Sequence, residues 1–416
     1  MSNNTTTQTR KGTPDFQLLI LTLLMVGFGL VMVFSSSSSI AIVNKNFNFD
    51  AMYFTKKQMI FGVLGLLSML VTMNIPYAKY KKLFVPVFIV TLIMLLLVPY
   101  IGKNINGARS WFGIGSFGVQ PSELAKVTII LYLAALISKK GERFRDLRTG
   151  YIPVMLIVGF VGGLIMLQPD FGSCVILVAT AGLVIFAGGA NLKHILGSIA
   201  LLILGVSIVL GAKFLLDKIS PGDDAGTQTQ SYKIGRFEAY LDPLKDPQDV
   251  SYNLVHSLIA IGHGGVTGTG FGQSVQKLHY LPNSYNDFIF SVIGEEFGFI
   301  GTLLFLLFYI YFIWRGILVS LRCPDNFGTL VGVGIMGLIA IQAFINIGGV
   351  TNTIPITGVT LPFISYGGSS LMVMMASMGI VLSISRQSSL PVSQERTKSV
   401  VIKQAVSDRP ARRSFR

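Results

Sequence analysis

Long apolar runs, separated by short polar clusters, dominate the chain. About 20 apolar residues suffice to cross a bilayer as a helix. Ten such runs occur, at roughly 16–37, 57–75, 83–101, 121–138, 151–168, 171–188, 192–216, 287–313, 326–349 and 368–386. The pattern predicts an all-α polytopic membrane protein with one membrane domain over 16–386, a polar N-terminal tail over 1–15 and a C-terminal tail over 387–416. The Thr/Asn-rich start lacks a small-residue cleavage site, so the first run reads as an uncleaved anchor. Between the seventh and eighth runs, residues 217–286 form a gap far longer than an ordinary connection, and loops of that length are generally functional or disordered. It opens on SPGDDAGTQTQ and continues with aromatics, Asp-Pro steps and the amphipathic stretch Tyr252–Ile261. Short helices at the outer interface are expected there. No repeat at a fixed period of 20–50 residues is visible.

Composition sharpens this picture. Of 416 residues, 51% are hydrophobic and 12% charged, with a mean hydropathy of +0.64, whereas soluble domains carry about 25% charged residues. A soluble multidomain chain is excluded. The net charge of +14 reports orientation first, since cytoplasmic loops collect Lys and Arg; a nucleic-acid partner is not expected. Placing the N-terminus in the cytoplasm puts Arg10 and Lys11, the Lys79/Lys81/Lys82 and Lys139–Arg148 clusters, Lys193, Arg315, Arg322 and the basic tail all inside. Both termini are therefore expected in the cytoplasm, with the 217–286 loop outside. The tail suits contact with anionic membrane lipid, though simple solubilisation accounts for it equally well. Cys174 and Cys323 cannot make a disulfide framework.

Charges inside a bilayer are costly and call for explanation. Glu123 and Lys126 open the fourth run in QPSELAKV, three residues apart, so they share a helix face. They form either a buried ion pair that fixes packing or part of a polar cavity open to the outer leaflet. Asp170 lies in LQPDFG at an outer junction. Glu295 and Glu296 are adjacent on a helix and cannot both face one partner. Outside the spans, NGARSWFGIGSFGVQPSE (106–123) sets Arg109 and Trp111 among glycines. A guanidinium beside an aromatic ring suits phosphate and sugar recognition, and equally an interfacial anchor with a snorkelling Arg. In the long loop, RFEAYLDPLKDPQDVSYN (236–253) gathers Arg236, Asp242, Lys245, Asp246 and Asp249. Two Asp-Pro steps restrict the backbone, so these acids are either positioned for catalysis or ordinary turn residues. The glycines of GGVTGTGFGQS (264–274) follow no strand, which leaves close backbone packing as the better account than a dinucleotide site. The four histidines show no metal-ligand spacing, and Ser35–Ser39 read as helix packing or exit.

NGARSWF, QPSELAK, LQPDFG, GTGFGQSVQKLHYLPNSYNDFIFSVIGEEFG and TNTIPITGVTLPFISYGGSSL occur in this order over about 15–386. In motifs and spacing the chain resembles the bacterial SEDS family (FtsW, RodA, SpoVE), and Gly358–Pro362 is similar to the division-type FtsW branch. The resemblance implies a ten-span glycosyltransferase of the cytoplasmic membrane that polymerises lipid II, the undecaprenyl diphosphate-linked disaccharide-pentapeptide, into glycan strands at the outer face during septal wall synthesis. It implies a class B penicillin-binding protein as transpeptidase partner, alongside other division proteins. The family's essential Asp falls on Asp246, its first-motif Arg and Trp on Arg109 and Trp111, and its Glu and Lys on Glu123 and Lys126. Two departures stand out: Ser110 replaces a second Arg, and Gln248–Ser251 replaces a Gly-rich step.

In such a reaction a sugar 4-hydroxyl attacks the anomeric carbon of a lipid diphosphate-linked sugar. A hydroxyl needs a positioned base at neutral pH, and Asp246 is the expected one. Arg109, Lys126, Arg236 and Lys245 are the cations expected to bind substrate and stabilise the leaving diphosphate. A divalent cation, Mg²⁺ or Mn²⁺, would serve the same end, although the sequence shows no protein cage for it. The rival readings are a lipid II flippase, which needs its crucial acid at mid-membrane, and a non-catalytic division scaffold.

Overall fold

The computed structural model describes residues 12–105, 108–114, 117–201, 204, 207, 240–244 and 251–388. Its helices are α1 (Phe16–Val43), α2 (Tyr53–Asn74), α3 (Tyr77–Ile101), α4 (Pro121–Lys140), α5 (Ile152–Met166), α6 (Phe171–Ala187), α7 (Leu192–Leu201), α8 (Tyr252–Gly264), α9 (Ile289–Leu321), α10 (Asn326–Val350) and α11 (Gly368–Ser388). Eight of the described helices are long and apolar enough to cross a membrane, so the chain is a polytopic membrane protein. A 25-residue helix such as α10 is about 38 Å long, more than the roughly 30 Å hydrocarbon core. Two expected spans are shorter as described: α6 has 17 residues, and the seventh run is described continuously only to Leu201. The tails over 1–11 and 389–416 lie outside the described residues, as does most of the 217–286 loop.

α4, α10 and α11 form the centre of the bundle, with α6 against α4 and α10 and α2 along α11; α3 and α9 bury only a strip and leave the rest for lipid. Apolar burial drives little helix association inside a bilayer, so close packing and hydrogen bonds carry it. α2 meets α11 through small residues: a Cβ on Gly379 would lie 2.4 Å from the Met69 carbonyl, and one on Gly65 would strike Met375 Sδ. Thr72 donates across this seam to the Ala376 carbonyl at 2.9 Å. Asp15 caps α1 through the Leu18 N–H and pairs with Arg315 near the end of α9. Arg386 near the end of α11 donates to Asn74 at the end of α2 and to the Gly12 carbonyl. The start of α1 and the end of α11 therefore share one end of the bundle, as alternate crossings require.

One element has no counterpart among the expected helices. Lys103–Ile105 (β1), Ala108–Ile114 (β2) and Phe117–Val119 (β3) form a three-stranded antiparallel meander between α3 and α4, with Lys103 opposite Trp111 and Phe112 opposite Val119.

The eighth span is broken. Gly298 sits inside α9 at φ 63°, ψ −166°, a conformation essentially restricted to glycine. In an intact helix the N–H groups of 299 and 300 would bond the carbonyls of 295 and 296. Here Phe299 and Ile300 donate instead to Gly265 and Val266 at 2.9 and 3.1 Å. The freed carbonyls of Glu295 and Glu296 accept from Thr269 and Gly270, each at 3.0 Å. Unsatisfied backbone groups in hydrocarbon cost several kcal/mol, and the loop after α8 removes that cost. It can approach so closely because a Cβ on Gly298 would lie 2.2 Å from Gly268 N, and one on Gly268 would lie 2.3 Å from the Glu296 carbonyl. The glycines of 264–274 thus include backbone-packing residues, as expected. Replacing Gly298 with alanine is expected to lower stability by about 1–3 kcal/mol through strain alone, with the clash added. A drop in the half-unfolding temperature of the purified protein checks this.

Candidate active site

The end of the bundle opposite the start of α1 and the end of α11 carries the described polar side chains that the sequence singles out. Gln120 ends the meander, and α4 begins at Pro121, an N1 proline that needs no N–H partner. One turn of helix then brings Glu123 and Lys126 together at 2.8 Å, at 5% and 1% exposure. Lys126 also donates to Gln342 Oε1 of α10 at 2.9 Å, and Gln342 Nε2 donates to the Thr360 carbonyl at 3.0 Å. Ser370 at the start of α11 reaches the other Glu123 oxygen at 3.4 Å. The pair is therefore turned inward and holds α4, α10, α11 and the 351–367 connection together. A buried pair costs desolvation and persists when its remaining valences are met, as they are here.

Asp170 caps α6, accepting from the Ser173 N–H at 3.0 Å, Gln120 Nε2 at 2.9 Å and Ser122 Oγ at 3.1 Å. It ties the N-termini of α4 and α6 side by side. The 351–367 connection is non-helical, and such backbone is tolerated at membrane depth only inside protein. Asn346 donates to the carbonyls of Asp287 and Val359, each at 2.7 Å, and Gln58 of α2 holds the Ser365 carbonyl and the Gly367 N–H. Tyr366 stands edge-on to Phe54 with ring centroids 5.2 Å apart.

Glu295 and Glu296 diverge as adjacent helix positions must. Glu295 accepts from Ser274 Oγ and the Val275 N–H and meets His263 Nδ1 at 2.9 Å. Glu296 binds Lys277 at 2.7 Å and Ser35 Oγ of α1 at 2.6 Å. The serines of α1 do not end the helix. They lie within it and fasten it to the loop, with the Ser36 carbonyl accepting from Ser284 and Ser39 donating to the Lys277 carbonyl.

Strand alternation sorts the first motif. Ser110 is buried and donates to the Gln168 carbonyl at 3.1 Å, whereas Arg109 is exposed and Trp111 half-exposed on the other face. The Trp111 ring lies against Gly118, where a Cβ would approach Cε3 to 3.1 Å. Lys103, opposite Trp111, lays its stem across Gly113 and adds an exposed cation that sequence reasoning did not single out. Its cross-strand position is the signal that reveals it. Gln342 and Asn346 were also missed, being lone amides in an apolar run.

Arg236, Lys245, Asp246 and Asp249 lie outside the described residues. In the described stretch 240–244, Tyr240 donates to the Thr353 carbonyl and its own carbonyl accepts from Asn352, each at 3.4 Å. Asp242 is exposed and accepts from the Leu244 N–H at 3.2 Å, a local turn bond. Among the described residues no three His, Cys, Asp or Glu side chains converge in a metal-binding group.

A family model described as cell cycle protein, covering FtsW, RodA and SpoVE, matches residues 16–390. Stage V sporulation protein E of Bacillus subtilis (strain 168) is 40% identical over 385 residues, covering 91% of this chain and 99% of that protein. A probable peptidoglycan glycosyltransferase FtsW of Geobacter sp. (strain M18) is 37% identical, covering 81% of this chain and 88% of its own. Among solved structures, a chain of a peptidoglycan synthase complex that coordinates polymerization and crosslinking superposes with TM-score 0.72 at 27% identity, over 91% of this chain and 99% of that one. The rod shape determining protein RodA of Thermus thermophilus superposes with TM-score 0.65 at 27% identity, over 91% and 98% of the two chains.

Proposed function

The chain belongs to the FtsW/RodA/SpoVE family of cell cycle proteins, and from that premise we propose that it works as a peptidoglycan glycosyltransferase that polymerises lipid II, with Asp246 as general base. The observation that carries the activity is likeness, over four-fifths or more of the chain, to a protein named for it and to a chain of a peptidoglycan synthase complex. The geometry supports it through the meander, which presents Arg109, Trp111 and Lys103 on one accessible face beside the N-termini of α4 and α6. Guanidinium and ammonium groups attract phosphate, and the indole offers a flat face to a sugar ring.

Asp246 takes the proton from the attacking 4-hydroxyl as the new bond forms at the anomeric carbon, and the lipid diphosphate departs with its bonding electrons. One carboxylate suffices when the leaving group is already a stable anion. Arg109, Arg236 and Lys245 are the cations assigned to that anion. A Mg²⁺ or Mn²⁺ ion, if used, would be held largely by the diphosphate with Asp246, since the described residues supply no cage. The partner proposed is a class B penicillin-binding protein, and the setting is septal wall synthesis at the outer face of the cytoplasmic membrane.

A transport reading needs acids free to load and release along a path. Glu123, Glu295 and Glu296 are each held instead by fixed partners, which favours polymerisation over flipping.

Purified protein with its partner and fluorescent lipid II tests this directly by the appearance of glycan strands. Arg109→Ala is expected to raise the KM for lipid II by roughly tenfold, the worth of one charge-assisted contact. The half-unfolding temperature should not move, because Arg109 is exposed. An unchanged KM removes Arg109 from the substrate site, and strand formation that survives EDTA removes the metal.

A further inference from the structure

A cavity of about 600 Å³ opens between α3 and α4, at the end of the bundle where α1 starts and α11 finishes. Phe84, Phe88 and Leu92 line it from α3, and Tyr132 and Leu136 from α4. Lys81 and Lys139 flank it where α3 begins and α4 ends. Its size lies within the ordinary range of small-molecule clefts, about 300–1,000 Å³. The back wall is built: Tyr132 stacks on Phe88 at 4.4 Å between centroids and meets Phe84 edge-on at 5.5 Å.

Polarity and length together identify the occupant. Lys81 to Leu92 is about 16 Å along a helix, close to half the roughly 30 Å hydrocarbon core, so the groove runs the depth of one leaflet and no further. Its deep part is apolar and its mouth carries two ammonium groups. Lys139 is exposed, and Lys81 lies over the Phe327 ring at 5.9 Å. Among the described residues neither pairs with a carboxylate, whereas neighbouring Lys140 is engaged by the Thr149 and Gly150 carbonyls. Lys79, Lys82, Arg143, Arg145 and Arg148 ring the same end, which by the positive-inside rule faces the cytoplasm.

We propose that this groove is a binding site for an anionic diacyl phospholipid of the cytoplasmic leaflet, with its phosphate between Lys81 and Lys139 and an acyl chain against Phe84, Phe88, Tyr132 and Leu136. The site lies at the opposite end of α4 from Glu123, so it is separate from the proposed substrate face. A lipid wedged there holds α3 against α4, and α4 is the helix that carries the Glu123–Lys126 pair at its far end.

The test is native mass spectrometry of the full-length protein in detergent with equimolar dioleoyl phosphatidylglycerol and dioleoyl phosphatidylcholine. Wild type is expected to retain the glycerol lipid about thirtyfold over the choline lipid, the preference two near-surface lysines confer. Lys81→Gln with Lys139→Gln should bring that ratio near one, and Leu136→Trp should expel both lipids while leaving the lysines in place. Equal retention by wild type overturns the proposal. So does a preference that survives the double lysine variant or the tryptophan. Preferential retention of an added polyprenyl monophosphate over both phospholipids also overturns it, because the site would then be a prenyl-carrier site. The lysines are surface groups, so the double variant folds and keeps the comparison decisive even if Leu136→Trp does not.

Discussion

Asp246→Asn is expected to lower glycan polymerisation by about 10²–10⁴-fold, the contribution of a positioned general base, while folding and partner association stay intact. Asparagine keeps the shape and removes the proton acceptor, so the loss should fall on kcat and leave lipid II binding largely in place. Asp242→Asn is the matched control. It also stands in an Asp-Pro step, yet its carboxylate accepts a local bond from the Leu244 N–H and is exposed, so its replacement should cost little activity. Strand formation by the two variants and wild type on fluorescent lipid II decides the matter. Full activity in Asp246→Asn would remove the base assignment, and equal losses in both variants would point to loop geometry instead of proton transfer.

The second large effect is expected at Lys126. Lys126→Met leaves Glu123 buried at 5% exposure without its cation, and breaking a buried pair from one side costs about 3–5 kcal/mol. Removing both charges with Glu123→Leu and Lys126→Met should recover most of that stability, since apolar replacement of a whole buried pair is often neutral or better. Half-unfolding temperatures of the two variants measure the difference. Polymerisation by the double variant separates fastening from chemistry: activity restored with stability marks the pair as a fastening, and activity lost while stability returns assigns it to substrate.

The spans were legible because hydrophobic run length is a one-dimensional signal, and the i,i+3 spacing of Glu123 and Lys126 alone foretold their contact. Divergence of Glu295 from Glu296 followed from helix geometry in the same way. Their partners His263, Lys277 and Ser35 did not, because the contacts join residues 19 to 261 positions apart. The meander was missed although its signals were present: Asn106-Gly107 and Gly115-Ser116 are the dipeptides that two-residue hairpins favour. Short strands beside long apolar runs carry too little periodicity to stand out. Arg109 and Trp111 were singled out by residue type, but only strand alternation explains why Ser110 between them can be small and buried.

The interrupted helix ties the folding of two consecutive segments together. Residues 265–270 leave the ribosome before Gly298 does, so the donors and acceptors that complete the break already exist when it reaches the translocon. α9 cannot settle in hydrocarbon as two clean halves until that preceding segment folds back onto it. The loop after α8 and the helix that follows it must therefore fold as one unit, because parting them would leave backbone groups of a span without partners.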